Sequence, residues 1–333
     1  MPPKGVIAMS HTSKDQKPAH RFAVIGGDGR MTHLAERLAE EGCPVSLLGC
    51  GDDCFSHREE CREIRICSTL QKATEDATVL VLPLPASRDG ETVHCPRDPD
   101  CTVTLDELSL HLARHPAVTL LGGKLPANFV KENSPRAVDY YESQVLRLRN
   151  AYITAEAALM TAMELTDRTL RDTSVAVLGY GRIGKYLARL LHAVGANVTV
   201  CARREENLFE AASEGCHPLL ITEDTPMNGL APLCRDHAIL FNTVPAHIMT
   251  RPFLMELERD TLLIDLASAP FGVCDGDVRD ATARNGLRYL RAPSLPGSYA
   301  PRDAGRIAAE CILDTLARRE DTPEESTEGG MNT

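Results

Sequence analysis

The stretch SVAVLGYGRIG, residues 174–184, decides the fold of this chain. Its first five residues are typical of a buried strand, a Gly-x-Gly-x-x-Gly turn follows directly, and the apolar spacing from Ile183 to Val194 predicts a helix. In a Rossmann unit of this kind the first glycine makes the turn, the second admits a pyrophosphate, and the third lets the helix pack closely on the strand. The residues expected to bind a dinucleotide here are Gly179, Gly181, Arg182, Ile183 and Gly184.

The end of the next predicted strand, Asn197–Ala202, indicates which nicotinamide dinucleotide binds. An Asp or Glu there would bind the adenosine 2′-hydroxyl and repel a 2′-phosphate, but this chain has Arg203 and Arg204 after Ala202. Because arginine offers fixed, paired donors to phosphate oxygens, the sequence favours NADP, with NAD possible. In the alternative interpretation both arginines are solvated surface charges.

The remaining apolar runs predict an α/β fold with two Rossmann-like doubly wound domains and a cleft between them. For the second domain, residues 151–300, later strands are expected at Ile239–Thr243, Leu262–Leu266 and Leu287–Leu290. The first domain, residues 21–150, is Rossmann-like or flavodoxin-like and is expected to bind the substrate. Its predicted strands are Phe22–Ile25, Val45–Leu48, Thr78–Pro83 and Val118–Gly122, with a loop over residues 85–102.

Two helices are expected to connect these domains. Residues 143–169 predict a long linking helix whose buried face carries Ala155, Leu159, Ala162, Met163 and Thr166. A final helix over residues 303–318 is expected to return and brace the first domain. The polar ends, residues 1–20 and the acidic residues 320–333, are predicted to be disordered tails.

Composition excludes several classes of protein. The net charge is -11 and there is no basic cluster, so a nucleic-acid partner is not expected. There is no apolar run of membrane-spanning length and no signal-peptide core, so we expect a cytoplasmic protein with no membrane partner. We also expect a homo-oligomer.

The densest cysteine group is Cys43, Cys50, Cys54, Cys61 and Cys67, with His57 among them. None of these cysteines has the two-residue spacing typical of a zinc site, so packing or surface cysteines are favoured over a metal centre. We expect reduced thiols and no bound metal.

A second glycine cluster, Gly26-Gly27-Asp28-Gly29-Arg30, follows the first predicted strand but lacks the Gly-x-Gly-x-x-Gly spacing. A second pyrophosphate is therefore less expected there. Two interpretations stay open: Asp28 and Arg30 contact a small substrate, with Arg30 pairing with a carboxylate, or they form a salt bridge within a tight turn. Lys124, at the carboxyl end of a predicted strand, is either a ligand-binding or a surface lysine.

These motifs together resemble one family, the A subunit of dipicolinate synthase, over about residues 21–317. The residues that carry the resemblance are Val24–Asp28, Thr154–Leu159, Val177–Gly184, Ala202–Arg203, Asn242–Pro245, Ile264–Ser268, Leu295–Pro301 and Ala304–Gly305. The pattern departs from the family at Ala269–Gly272, where a basic residue and paired glycines are usual.

The resemblance implies oxidation of a dihydrodipicolinate-level intermediate, derived from the lysine pathway, to dipicolinate in the mother cell of a sporulating bacterium. NADP or NAD would accept the hydride, and a separate flavoprotein-like B subunit would be a partner. By analogy with the similarly built 2-hydroxyacid and alanine dehydrogenases, Thr243, Val244 and Pro245 would line the adenosine side, and Asn242 before them would also bind the cofactor. Residues near the nicotinamide would be Asp265, Ala267 and Ser268, the last also contacting substrate.

Forming a pyridine from a dihydropyridine removes a hydride and a proton, so the protein needs cations for two carboxylates and a proton acceptor. Candidate cations are Arg30, Lys124 and Arg182, and Glu156 or Asp265 is expected to be the base or an orienting carboxylate. Glu156 could also be a helix-surface residue. One alternative is a D-2-hydroxyacid dehydrogenase, which needs a late histidine, and no histidine follows His247. The other is a non-catalytic nucleotide-binding regulatory protein.

Overall fold

The computed structural model describes residues 20–51, 64–221 and 236–320. It divides into two compact units. Unit 1 comprises the described residues up to Tyr141 together with those from Ile312 onward, and unit 2 comprises Glu142–Cys311. No described helix has the length and apolar character needed to cross a bilayer.

Unit 1 is built on a six-stranded parallel sheet. Its strands are β1 (Phe22–Ile25), β2 (Val45–Leu48), β3 (Ile64–Ile66), β4 (Val79–Val81), β5 (Thr119–Gly122) and β6 (Ala137–Asp139). Their order across the sheet, β3-β2-β1-β4-β5-β6, reverses direction between β1 and β4. Ligands of open α/β sheets bind at the carboxyl ends of the strands beside such a reversal.

The helices of unit 1 follow its strands. They are α1 (Gly29–Glu40), α2 (Leu70–Thr74), α3 (Leu105–Arg114) and α4 (Ala127–Glu132), before a 3-10 turn at Tyr140–Glu142. Asp28 caps α1, and Thr104 and Glu107 form a capping box on α3. These caps satisfy N–H groups that each helix start leaves without an intrahelical partner.

Unit 2 repeats the same strand order, β12-β11-β10-β7-β8-β9, with all pairs parallel. Its strands are β7 (Ser174–Leu178), β8 (Asn197–Ala202), β9 (His217–Leu220), β10 (Ile239–Asn242), β11 (Leu262–Asp265) and β12 (Arg288–Arg291). Its helices are α5 (Gln144–Leu165), α6 (Arg182–Ala193), α7 (Glu205–Ser213), α8 (Arg251–Glu256), α9 (Asp275–Asn285), α10 (Leu295–Tyr299) and α11 (Pro301–Glu320), which continues into unit 1.

The predicted α/β fold with two Rossmann-like sheets is confirmed. The central strands β1 and β10 are buried along their whole length, as expected for parallel strands covered on both faces. In unit 1, the end of α11 is held by Arg319, whose Nη2 donates to the carbonyl oxygen of Pro135 at 2.9 Å. The predictions for residues 1–19 and 321–333 of the two tails and for Cys54, His57 and Cys61 fall outside the described residues, whereas Glu320 is the last residue of α11 and not part of a tail.

The predicted buried face of the linking helix is partly wrong. Met163 is 49% exposed, and Thr166 lies beyond the last residue of α5 as its C-cap. The helix instead buries small side chains, with Ala155, Ala158 and Ala162 in the same core as residues of α6. Small residues let two helix backbones approach closely, so alanines rather than the larger methionines lie on the packed face.

We expect the substitution Ala158→Leu to destabilise unit 2. Ala158 is fully buried in its core, and added methylenes in a packed core typically cost about 1–3 kcal/mol. Met160→Leu, on the exposed side of the same helix, should change the free energy of unfolding by less than about 0.5 kcal/mol. Urea unfolding followed by circular dichroism measures both, and equal effects would contradict this packing.

Candidate functional site

The glycine turn after β7 has the backbone geometry that the sequence predicted. Gly179 has a φ of 95°, a left-handed conformation that glycine adopts without strain. A Cβ on Gly184 would lie 2.2 Å from the carbonyl oxygen of Gly179, so only glycine lets α6 approach β7 this closely. Gly181 is the N-cap of α6 and offers no side-chain cap of its own.

The backbone at Gly181 has free space in front of it, enough for a ligand. A Cβ built on Gly181 meets no heavy atom within 4 Å, so the space in front of this backbone is open. Arg182 and Ile183 are the first two residues of α6, and N–H groups of a first helical turn have no intrahelical acceptor. Open space, N–H donors and the positive end of the helix dipole suit the pyrophosphate of a dinucleotide.

The end of β10 adjoins the glycine turn, at the point where the strand order of unit 2 reverses between β7 and β10. The Thr243 side chain donates to the carbonyl oxygen of Leu178 at 3.0 Å. A Cβ on Gly179 would lie 2.5 Å from Thr243 Oγ1 and 2.8 Å from Val244 Cγ2, so these residues adjoin the glycine turn. Pro245, which follows them, is exposed.

Asp265 is the buried last residue of β11. It is fully buried and accepts hydrogen bonds from Asn242 Nδ2 at 2.8 Å, the Gly272 N–H at 2.8 Å, the Ala267 N–H at 3.2 Å and the Tyr289 hydroxyl at 3.2 Å. A carboxylate with four donors and no exposed surface has no open access for a substrate. The hydrogen bonds from the Ala267 and Gly272 N–H groups favour the orienting role, because they fix the loop after β11.

That loop contains the departure from the family pattern. Ala269–Pro270 is a cis peptide bond, and Phe271 has a φ of 69°. The Arg291 guanidinium at the end of β12 lies 4.1 Å from the centre of the Phe271 ring and pairs with Asp275. No motif in the sequence marked Arg291, since its proximity to Phe271 depends on the adjacency of β11 and β12. Ser268 is exposed in the same loop.

The end of β8 presents the two predicted phosphate-binding arginines. Ala202 is buried as the last residue of the strand, whereas Arg203 and Arg204 are exposed beyond it. The Cys201 carbonyl oxygen accepts the Gly179 N–H at 2.8 Å, which ties the end of β8 to the glycine turn. Both guanidinium groups thus lie on residues that follow the strand next to the turn, where the adenosine ribose of a Rossmann ligand binds.

Asp28 and Arg30 form a salt bridge within the turn of unit 1. Arg30 Nε and Nη2 donate to the two Asp28 oxygens, each at 2.8 Å, and Nη2 also donates to the Leu84 carbonyl oxygen at 2.6 Å. Burial alone would raise the pKa of Asp28, but the hydrogen bonds and charge of Arg30 lower it overall. This geometry favours the tight-turn interpretation over substrate binding, because Nε and Nη2 of Arg30 already donate within unit 1.

The loop over residues 85–102 covers that turn. The Gly27 N–H donates to the His94 carbonyl oxygen at 2.7 Å, and a Cβ on Gly26 would lie 2.7 Å from Cys95 Sγ. The backbone donor that a pyrophosphate would need is thus already paired. This agrees with the weaker expectation of a dinucleotide in unit 1.

His94 is a candidate functional residue that the sequence did not reveal. Burial and the charge of Arg88 lower the pKa of its imidazole, against an opposing effect of Asp28. A cavity of about 260 Å³ is lined by Arg88, Thr92, His94 and other residues of this loop. A neutral imidazole beside a cation could accept a proton from an anionic ligand. No sequence signal marked His94, because the loop gains its position only by folding onto Gly26 and Gly27.

Lys124 follows β5 at the carboxyl edge of the same sheet. It is exposed, has a φ of 51°, and its N–H donates to Asp139 Oδ1 at 3.0 Å. Its ammonium group lies 5.3 Å from the centre of the Tyr141 ring. Adjacent strands are about 4.8 Å apart, so the ends of β1 and β5, with β4 between them, are separated by roughly 10 Å. The placement is suitable for binding a carboxylate.

Glu156 lies on α5, half-buried, where it accepts a hydrogen bond from the Tyr152 hydroxyl. The charge of Glu156 and this hydrogen bond raise the pKa of Tyr152, with a smaller contribution from Tyr299. These neighbours favour the helix-surface interpretation of Glu156 over the proton-accepting one.

The fold and the glycine turn define a nicotinamide-dinucleotide-binding protein of the dehydrogenase class. Residues 142–267 match the family model of the D-isomer specific 2-hydroxyacid dehydrogenase NAD binding domain. Residues 21–141 match the model of the N-terminal domain of the dipicolinate synthase A subunit. The chain is 31% identical over 303 residues to the A subunit of dipicolinate synthase from Bacillus subtilis (strain 168), covering 89% of this chain and 96% of that protein. The chain therefore belongs to the family of the dipicolinate synthase A subunit, which confirms the resemblance.

Two solved structures are similar throughout. The A subunit of dipicolinate synthase from Bacillus halodurans matches with a TM-score of 0.75 and 27% identity, covering 90% of this chain and 98% of that chain. The corresponding dipicolinate synthase chain from Bacillus subtilis matches with a TM-score of 0.75 and 28% identity, covering 93% of this chain and 99% of that chain.

We expect two glycine substitutions in the turn to have different effects. Gly184→Ala forces a Cβ against a backbone carbonyl and should cost at least about 2 kcal/mol of stability. Gly181→Ala has room for its Cβ and should cost no more than about 1 kcal/mol, yet it should weaken dinucleotide binding because the methyl group occupies the ligand's space. Urea unfolding and titration with fluorescent NADPH measure the two quantities. Unchanged NADPH affinity in Gly181→Ala would contradict the pyrophosphate site.

Proposed function

We propose that this chain catalyses the NAD(P)-dependent oxidation of a dihydrodipicolinate-level intermediate to dipicolinate, together with a B subunit. The observation that carries the proposal is an open dinucleotide turn in a member of the dipicolinate synthase family. In the balanced step, one dihydropyridine dicarboxylate and one NAD(P)⁺ give one pyridine dicarboxylate, one NAD(P)H and one proton. Aromatisation favours this direction, so the protein mainly supplies binding and orientation.

Unit 2 supplies the dinucleotide site in this proposal. The residues that would hold the dinucleotide are Gly179, Gly181, Arg182, Ile183, Gly184, Ala202, Arg203, Arg204, Asn242, Thr243, Val244, Pro245, Asp265, Ala267 and Ser268. When bound, the nicotinamide supplies the hydride acceptor. Asn242 and Asp265 act as positioning residues here, because their hydrogen bond at 2.8 Å joins the ends of β10 and β11.

We further propose a preference for NADP over NAD. Support comes from Arg203 and Arg204, which are exposed after β8. No acidic residue is present among residues 202–204 to repel a 2′-phosphate. Paired donors on a guanidinium match the oxygens of a 2′-phosphate, whereas the 2′-hydroxyl of NAD gains little from them.

Unit 1 binds the substrate in this proposal. Lys124 and Arg88 are the cations assigned to the carboxylates, and His94 is assigned as the proton acceptor in place of Glu156 or Asp265. Support for His94 comes from its lowered pKa, which keeps the imidazole neutral near pH 7, and from its position on the cavity beside Arg88. Support for Lys124 comes from its exposure at the carboxyl edge of the sheet.

Arg203→Asp should weaken NADP binding at least about tenfold and leave NAD binding equal or stronger, because it replaces a phosphate donor with a like charge. Titration with NADPH and NADH measures both affinities. Arg168→Asp, at an arginine that is 62% exposed and lies before β7, is the matched control and should change neither. If Arg203→Asp left both affinities unchanged, the phosphate-binding role would be wrong.

His94→Gln should lower kcat about 100-fold or more, since a glutamine cannot accept the substrate proton. In the native chain, protonation of His94 removes the base, so kcat/KM should fall at acid pH. Because the pKa of the His94 imidazole is lowered, this fall should begin only below about pH 6.5. The variant should lose this acid limb. His33→Gln, at a histidine paired with Glu36 on α1, should retain the native profile. An unchanged acid limb in His94→Gln would rule out His94 as the base.

The reaction itself is tested with the purified chain, a B subunit, NADP and the product of a dihydrodipicolinate-forming aldolase. We expect NADPH to form with the ultraviolet absorbance of dipicolinate, in equal amounts, and Gly181→Ala to slow both. Absence of dipicolinate with the B subunit present would contradict the proposal. Oxidation of a 2-hydroxy acid instead would favour the alternative dehydrogenase activity.

A further inference from the structure

Two half-buried cysteines of unit 1, Cys95 and Cys101, lie within the loop over residues 85–102, and both are free thiols. They lie outside the cysteine group that the sequence singled out, and the proposed reaction does not use them. Both line the cavity beside His94, so small molecules can reach them. We therefore consider the pair as a site of thiol chemistry.

The backbone of the loop places these two cysteines opposite each other. The Val93 N–H donates to the Val103 carbonyl oxygen at 2.8 Å, next to an antiparallel bridge, and the same register continued by two residues sets Cys95 opposite Cys101. Between them the Asp98 N–H donates to the Cys95 carbonyl oxygen at 3.3 Å, and the Cys101 N–H donates to the Asp98 carbonyl oxygen at 3.1 Å. Facing residues of an antiparallel pair have Cβ atoms about 4.5–5.5 Å apart, close to the spacing that a disulfide needs.

The two sulfur atoms are neighbours beside the glycines that follow β1 and β2. A Cβ on Gly49 would lie 2.7 Å from Cys101 Sγ and 3.3 Å from Cys95 Sγ, and a Cβ on Gly26 would lie 2.7 Å from Cys95 Sγ. The Cys95 thiol also donates a hydrogen bond to Cys101 Sγ. Two thiols that already contact each other need only a small movement to reach the S–S bond length of about 2.0 Å.

The surroundings of the pair favour a slowly formed but persistent disulfide. Burial, the charge and hydrogen bond of Cys101, and the charge of Asp98 raise the pKa of the Cys95 thiol to about 12. Burial also raises the pKa of the Cys101 thiol, against an opposing effect of the hydrogen bond from Cys95. Because the thiolate is the attacking species, oxidation should be slow near neutral pH. Because thiols of high pKa are poor leaving groups, the disulfide should then resist reduction.

We propose that Cys95 and Cys101 form a reversible disulfide that fixes the loop over residues 85–102 on the Gly26–Gly27 turn. The oxidant is a low-molecular-weight disulfide. One cysteine thiolate attacks it and releases a small thiol, and the other cysteine then displaces the second small thiol from the mixed disulfide. Two cysteine thiols and one small disulfide thus give one protein disulfide and two small thiols, which balances electrons and protons.

The disulfide would hold the part of unit 1 that carries His94. His94 directly precedes Cys95, and its carbonyl oxygen accepts the Gly27 N–H at 2.7 Å. Joining Cys95 to Cys101 closes a ring of seven residues and removes conformations in which the loop is open. This thiol chemistry does not depend on which substrate unit 1 binds, so its failure can be distinguished from failure of the proposed reaction.

Peptide mapping of the full chain tests the disulfide, because trypsin cleaves after Arg97, between the two cysteines. The chain is incubated with oxidised glutathione at mildly alkaline pH, where more thiolate is present, and the remaining thiols are alkylated before digestion. Peptides 89–97 and 98–114 should stay joined until dithiothreitol separates them. Cys95→Ser and Cys101→Ser should each lose the joined peptides. Cys274→Ser, at an exposed cysteine of unit 2, is the matched control and should keep them.

Hydrogen exchange of the native chain in both redox states tests the fixed loop. In the oxidised chain, the amides of residues 95–101 and of Gly27 should exchange at least about tenfold more slowly, and dithiothreitol should restore the original rates. The amides of β8 in unit 2 should not change. Both measurements use the native chain, so they stand even if a cysteine variant fails to fold. Absence of joined peptides, glutathione adducts alone, a link from Cys95 to Cys50, or unchanged exchange in the joined chain would each overturn the proposal.

Discussion

The contact between Gly184 and the carbonyl oxygen of Gly179 is the constraint on which unit 2 depends. A Cβ on Gly184 would lie 2.2 Å from that oxygen, so the absence of a side chain sets how closely α6 lies on β7. The close approach brings the N-terminus of α6 to the end of β7, beside Thr243 at the start of the next turn. Gly184 thus lets α6 pack on β7, and Gly181 leaves the N–H donors at the start of α6 open to a ligand.

The two units share one strand order but use its reversal point differently. In unit 2 the space before Gly181 is open, and the Asn242–Asp265 hydrogen bond holds the adjoining strand ends together. In unit 1 the corresponding turn is filled by the Asp28–Arg30 salt bridge, and the loop bearing His94 lies over it. We propose that, because of this difference, unit 2 binds the dinucleotide and unit 1 binds the substrate.

The sequence predicted the secondary structure that depends on neighbouring residues. It missed the contacts that depend on residues far apart in the chain. Strand, turn and helix at residues 174–184 follow from adjacent residues, and β7 and β8 begin and end where predicted. The sequence left open whether Asp265 is a base or an orienting carboxylate, because its donors come from residues far apart in the sequence, Asn242 and Tyr289 among them. The face of α5 was predicted correctly at Ala155 and Ala162 but not at Met163, because both sides of the helix are apolar and only close packing against α6 selects the alanines. Short strands such as β3 have too little periodicity to detect.

A crystal structure of the chain with NADP bound tests the central claim most directly. We expect the pyrophosphate against the backbone of Gly181, Arg182 and Ile183, and the 2′-phosphate within hydrogen-bonding distance of Arg203 or Arg204. We also expect Asp265 to keep its four donors and not to contact the substrate side of the nicotinamide. A dinucleotide bound at the Gly26–Gly27 turn of unit 1, or a 2′-phosphate directed away from both arginines, would contradict this assignment.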